Sequence, residues 1–161
     1  MILTDYFSYD DKESIISQME KLQPKWGAIP LMYSLLKNNE FNKTLGNGTL
    51  NLLLDEENLT DGKPTIASFA TFCDMDEIDT TEYRPWIGFV FTDPEYRGRH
   101  LMGQIIEYCM KQAPKLYPDS EYVYISTDKT GLYEKYGFTY FCQMQSKWNG
   151  ECRIYRRKIE K

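Results

Sequence analysis

The stretch Phe89-Val-Phe-Thr-Asp-Pro-Glu-Tyr-Arg-Gly-Arg-His-Leu-Met-Gly103 constrains the fold more than any other part of the chain. Apolar β-branched and aromatic residues stop at Asp93-Pro94, two arginines flank Gly98, and an amphipathic pattern begins at once. That order predicts a strand over 86–92 that feeds a basic, Gly-containing turn into the start of a helix. The first N–H groups of a helix have no intrahelical acceptor and carry partial positive charge, so such a junction suits an anionic phosphate. Gly98 and Gly103 have the spacing of a nucleotide P-loop, but Gln104-Ile105 stand where Lys and Ser/Thr would hold phosphate and Mg²⁺. The dinucleotide spacing G-x-G-x-x-G is absent. Two readings of the turn stay open: a metal-free anion cradle over 97–103, or a basic surface turn.

The rest of the chain supplies elements that surround this junction. Ile15, Ile16, Met19 and Leu22 recur at helical spacing and predict a helix over 11–23, stopped by Pro24. A second helix is expected over 30–37. Residues 49–55 and 65–73 read as an antiparallel hairpin. Leu101, Ile105, Ile106, Cys109 and Ala113 form one apolar face and predict a helix over 99–113, ended by Pro114. A short strand over 122–126 then makes a strand–helix–strand unit, which implies one parallel crossover. A short helix over 129–135 closes at Gly137, and a last hairpin pairs 140–148 with 152–159 about Asn149-Gly150. The fold class expected is mixed α/β (α+β): a mostly antiparallel twisted sheet with one parallel crossover and helices on both faces, as one domain over 1–161.

Composition removes several function classes. The net charge of -5 and pI near 5.0 argue against nucleic-acid binding, which needs a basic face. No run of about 18 apolar residues predicts a membrane span. The start Met1-Ile-Leu-Thr-Asp-Tyr-Phe lacks a basic segment and a long apolar run, so no signal peptide and a cytoplasmic setting are expected. The four cysteines at 73, 109, 142 and 152 have no Cys-x-x-Cys spacing and His100 is the single histidine, so no metal site is expected.

Asp93-Pro-Glu-Tyr-Arg-Gly-Arg99, the helix after it, and Gly131-Leu-Tyr-Glu-Lys-Tyr-Gly-Phe138 together resemble the GNAT superfamily of N-acetyltransferases, in order and in spacing. The resemblance covers about residues 86–141 and implies the GNAT fold with acetyl-CoA as cosubstrate. It places the diphosphate on the turn formed by Arg97, Gly98, Arg99, His100, Leu101, Met102 and Gly103. It lays the pantetheine arm along Val90, Phe91 and Thr92, much as an added strand pairs with a sheet edge. The chain departs from the family pattern at His100 and Met102, where Gly, and Gly or Ala, are expected. His100 is either a peripheral phosphate contact or a helix-start residue facing solvent.

By the same resemblance Tyr133 is the general acid for the leaving thiolate, with Tyr136 as its competitor. A phenol is protonated at neutral pH and donates without prior tuning. The base is sought in Cys73-Asp-Met-Asp-Glu-Ile-Asp-Thr-Thr-Glu82, which holds five carboxylates and would also attract a cationic acceptor. Glu77 and Asp79 are the nominees. Trp86, Tyr83 and Trp26 are candidates to pack an acceptor's apolar part, and Ser126-Thr-Asp128 caps the next helix or touches the pantetheine. The expected activity is transfer of acetyl to a primary amine, on a small molecule or a protein, by direct attack in a ternary complex. The expected assembly is a monomer or homodimer. The rival is a non-catalytic acyl-CoA-binding or regulatory module.

Overall fold

A computed structural model describes residues 1–161. Its seven strands form one sheet in the order β1-β2-β3-β4-β5-β7-β6. The strands are β1 (Ile2–Asp5), β2 (Gly48–Thr60), β3 (Lys63–Cys73), β4 (Trp86–Thr92), β5 (Tyr122–Thr127), β6 (Thr139–Ser146) and β7 (Gly150–Lys158). Every neighbouring pair is antiparallel except β4 and β5. Their connection is the helix α4 (Leu101–Leu116), so the expected parallel crossover is present. The helices α1 (Lys12–Leu22), α2 (Ile29–Lys37) and the short α3 (Phe41–Leu45) precede β2.

Both faces of the central strands are covered. In β2 the neighbours Leu52, Leu53 and Leu54 are all buried, and Leu53 packs with α4 while Leu52 and Leu54 pack with α1–α3. Successive side chains leave opposite faces of a strand, so a continuous apolar run marks a strand buried on both sides. On one face Ile15, Met19, Met32, Leu35 and Phe41 meet Phe69, Phe89 and Phe91. On the other, Leu101, Ile105, Ile106, Cys109 and Ala113 meet Ile87, Val123, Ile125 and Tyr155.

Three local expectations need correction, and two further elements lie outside them. Pro114 does not end α4; it lies in the last turn, where one missing N–H costs a single bond, and Tyr117 N–H resumes the ladder to the Ala113 carbonyl at 2.8 Å. The segment 129–135 is not a helix; only a 3₁₀ turn, Tyr133–Tyr136, forms, capped by Gly137 at φ +83°. The N-terminal residues 2–5 form an edge strand on β2, and 41–45 form α3. β2 runs on to Thr60 after a register shift beyond Asp55.

One irregularity shapes the centre of the sheet. Opposite Phe69–Thr71 of β3 the register slips at Phe89–Val90, which places an extra residue in β4. Phe89 has φ +47°, a conformation rare for a bulky residue. The bulge reverses the alternation: Ile87 and Val90, three apart, both face α4, whereas Phe89 and Phe91 face α1 and α2. The parallel ladder to β5 holds only at Trp86↔Tyr124 and Ile87↔Ile125. Beyond it the two strands part, and the β5-facing side of 88–92 has no strand partner.

One face of Gly88 meets Asp76. A methyl group there would lie 2.0 Å from Asp76 Oδ1 and 2.5 Å from its Cγ. Gly88→Ala is therefore expected to cost about 1–3 kcal/mol by overpacking, lowering the melting temperature by about 5 °C. Combining it with Asp76→Ala should recover part of that loss in a thermal-melt cycle, and strict additivity would show that the two groups do not compete for space.

Candidate active site

The parting of β4 from β5 opens a cleft of about 1170 Å³. Val90, Phe91 and Thr92 form one wall, Ile125, Ser126 and Thr127 the other, and Arg97, Gly98, His100, Leu101 and Met102 close one end. Tyr133, Tyr136, Asp76 and Glu77 lie around the bulge.

The turn is fixed before any ligand arrives. Asp93 is buried; its Oδ1 accepts from Glu95 N–H at 3.0 Å and its Oδ2 pairs with Lys25 Nζ at 2.8 Å. Tyr96 is buried too, donating to Asp55 Oδ2 at 2.7 Å and accepting from Asn58 Nδ2 at 2.8 Å. Gly98 has φ +85° with open space around its α-carbon, so conformation rather than room is what calls for glycine there. His100 is the N-cap of α4 in the left-handed region, φ +57°, with no side-chain capping bond. The first intrahelical bond runs from Gln104 N–H to the His100 carbonyl at 3.1 Å, which leaves the N–H groups of Leu101, Met102 and Gly103 without an intrahelical acceptor. The donors of Leu101 and Met102, which line the cleft, the helix dipole and the exposed Arg97 fit a diphosphate.

Two members of the expected cradle stand elsewhere. The Arg99 guanidinium lies over the Tyr96 ring at 5.1 Å and does not line the cleft. Gly103 does not line it either; a Cβ there would lie 2.9 Å from Tyr136 Cε1, so glycine lets the Tyr136 ring lie against α4. Thr92 Oγ1 lies 3.0 Å from Ser68 Oγ, which ties the end of β4 to β3.

At the other end Tyr133 is 7% exposed and lines the cleft. Burial, and then the charge of Asp76, push its phenol well above its ordinary range, so it stays protonated at neutral pH. Its turn is clasped from behind by Arg157, whose Nη1 donates to the Tyr136 carbonyl at 2.9 Å and pairs with Glu107 at 2.5 Å. Tyr136 shares the cleft, so geometry brings both tyrosines of the motif to it.

Among the carboxylates the structure selects one that sequence did not. Asp76 is 4% exposed, lines the cleft, and its Oδ1 has no hydrogen-bond partner. Burial, followed by the neighbouring Glu77 charge, pushes its carboxyl up to about 7. Glu77 also lines the cleft but is committed: it accepts from Asn149 Nδ2 at 3.2 Å and Cys152 Sγ at 3.3 Å, and its carbonyl accepts from Lys147 N–H at 2.7 Å. Burial opposes its charge, yet the polar groups of Ser126, Ser146, Asn149 and Cys152 outweigh that and hold its carboxyl below the usual range. Asp79 is exposed and outside the cleft, because the chain turns away after Ile78 pairs with Ser146. Trp86 is fully buried, its indole N–H donating to the Tyr83 carbonyl at 2.7 Å, and it packs on Tyr124 and Ile154; no acceptor reaches it. Tyr83 belongs to the same cluster, away from the cleft. Trp26 does line the cleft, joined by Trp148, which sequence reasoning left in a strand end.

The profile of the acetyltransferase (GNAT) family matches residues 18–138. No curated protein matches the sequence. Among solved structures, an aminoglycoside 6'-N-acetyltransferase complexed with coenzyme A is similar at a TM-score of 0.67 and 13% identity, over 100% of this chain and 98% of that one. An acetyltransferase from Salmonella typhimurium that modifies the N-terminal serine of the 50S ribosomal subunit protein L7/L12 gives 0.65 at 17% identity, over 98% and 94%. A GNAT family N-acetyltransferase from Escherichia coli in complex with CoA gives 0.65 at 13% identity, over 99% and 81%. At these identities the likeness is one of fold.

The left-handed N-cap gives a direct test of the turn. A β-branched residue tolerates that backbone worst, so His100→Val is expected to cost about 1–2 kcal/mol and lower the melting temperature. His100→Gly should melt no lower than the parent, within about 1 kcal/mol. Equal melting of the Val variant and the parent would contradict the geometry at this cap.

Proposed function

The chain belongs to the GNAT acetyltransferase family, and from that premise we propose that it moves the acetyl group of acetyl-CoA to a primary amine by direct attack in a ternary complex. The observation that carries the reading is one continuous cleft with an anion cradle at one end and, at the other, a protonated phenol and a buried carboxyl with one oxygen unpartnered. Bound acetyl-CoA would supply an activated thioester. Leu101, Met102 and Arg97 would hold its diphosphate, and the unpaired edge of 88–92 would align its arm.

The protein's own groups then manage two protons. A lysine-like amine has a pKa of roughly 10.4, so presenting its free base at pH 7 costs about 4.6 kcal/mol. Asp76 takes that proton, directly or through one water; at about 7 its carboxyl is matched to neutral pH. Tyr133 holds a proton for the departing sulfur. An acyl-cysteine route finds no support: Cys152 lines the cleft, but burial and then the Glu77 charge raise its thiol, leaving little thiolate to attack. No helix is long and apolar enough to cross a membrane.

The test is thiol release from acetyl-CoA across a panel of primary amines, with acetyl-CoA binding measured by calorimetry. Binding without release on any amine would favour the non-catalytic module. Tyr133→Phe should lower kcat by about 10²–10⁴ with little change in CoA affinity, and unchanged turnover would remove it from the chemistry. Asp76 acts as a base only when deprotonated, and its folded pKa is raised, so kcat/KM should climb through about pH 7 and level off above it. Asp76→Asn should lose that limb and fall by about 10²–10⁴. A parent profile flat from pH 6 to 8 would assign the proton to another group.

A further inference from the structure

We propose that the acceptor is a monoamine carried on a flat aromatic body, an arylalkylamine, rather than a polycation. The proposal rests on the acetyl-transfer reading and names the acceptor class for the same cleft. Beyond the bulge four aromatic rings line the cavity in two pairs. Trp26 stacks on Phe91 at 6.0 Å and 12°, and Phe89 meets the edge of Trp148 at 5.8 Å and 61°. Trp148 keeps 40% of its surface exposed, although its backbone is held, its N–H donating to Ser146 Oγ at 3.0 Å. A large ring fixed at a cavity mouth with one side open is a platform for another ring.

The charge pattern points the same way. A polycation needs several carboxylates around the acceptor, and of the three that line the cleft, Asp76, Glu77 and Asp128, only Asp76 is buried with an oxygen that has no partner. Glu77 is engaged through Oε1 and its carbonyl in the turn that it holds. Asp93 is paired with Lys25, itself on the rim. The Lys147 ammonium sits over the Trp148 ring at 5.3 Å and adds positive charge to the mouth. One ammonium fits beside Asp76; further ones would meet Lys25 and Lys147, and the remaining carboxylate of the cleft, Asp128, is exposed and followed directly by Lys129.

Phenethylamine, butylamine and spermidine separate the alternatives in the thiol-release assay. The expected kcat/KM for phenethylamine is about tenfold above butylamine, with spermidine lowest. Trp148→Ala should shrink the phenethylamine-to-butylamine ratio to within about threefold, chiefly through KM. A spermidine preference, or a ratio that Trp148→Ala leaves intact, overturns the proposal. In parallel, calorimetry of the same amines on the CoA-saturated protein reads the pocket without turnover. Tighter phenethylamine binding that Trp148→Ala abolishes, with no thiol released, would sustain the aromatic site while the transfer reading falls; equal binding of all three amines sinks it.

Discussion

The extra residue at Phe89 is the constraint on which the site depends. An unbulged β4 would keep pairing with β5 through Thr92 and close the sheet. With the bulge, the ladder ends at Ile87↔Ile125, and the next five residues of β4 face an opening instead of a neighbour. The same slip swings Phe89 and Phe91 to the side of α1 and α2, where they meet Trp148 and Trp26, while Val90 stays with α4. One backbone irregularity therefore makes a slot for an extended ligand on one side and an aromatic chamber on the other.

Departures from ordinary folding rules collect around that slot. Asn39 and Asp61 have positive φ at turns, which their short polar side chains tolerate. Phe89 and His100 have no such excuse, and both border the cleft. Asp76 adds a buried carboxyl oxygen with no partner, a group that a stability-driven core would replace. Two more unpartnered buried oxygens, Asn51 Oδ1 and Thr71 Oγ1, lie in the sheet outside the cleft, but both backbone strains of this kind and the orphan carboxyl oxygen meet at its border, as in a preorganised site.

The elements most readable from sequence were those whose signals are local. Strand 86–92 was bounded by prolines on both sides, and α4 carried its apolar face in plain periodicity. Pro114 misled because its effect depends on position: in the last turn it removes a bond the helix barely needs. The 129–135 segment misled because Gly137 ends a 3₁₀ turn as readily as an α-helix. The proposed base was unreadable for a deeper reason. Asp76, Glu77 and Asp79 are near-equivalent in sequence, and what separates them is long-range: Gly88 opposite Asp76, Asn149 and Cys152 around Glu77, open solvent at Asp79. Trp86 and Trp148 were exchanged in the same way, since burial of an indole is decided by the sheet face it meets and not by its neighbours in the chain.

Asp76 and Tyr133 also constrain each other's timing. The charge on Asp76 is one cause of the raised phenol, after burial. The effect is reciprocal, as any electrostatic coupling between two titrating groups must be. In the proposed transfer, Tyr133 would be at its least acidic while Asp76 is ionised and ready to accept. Once Asp76 had taken the amine proton its charge would be gone, and the phenol would become easier to ionise as the thiolate leaves. On this proposal the two groups would need no conformational change to act in that order; their shared burial beside the bulge would set it.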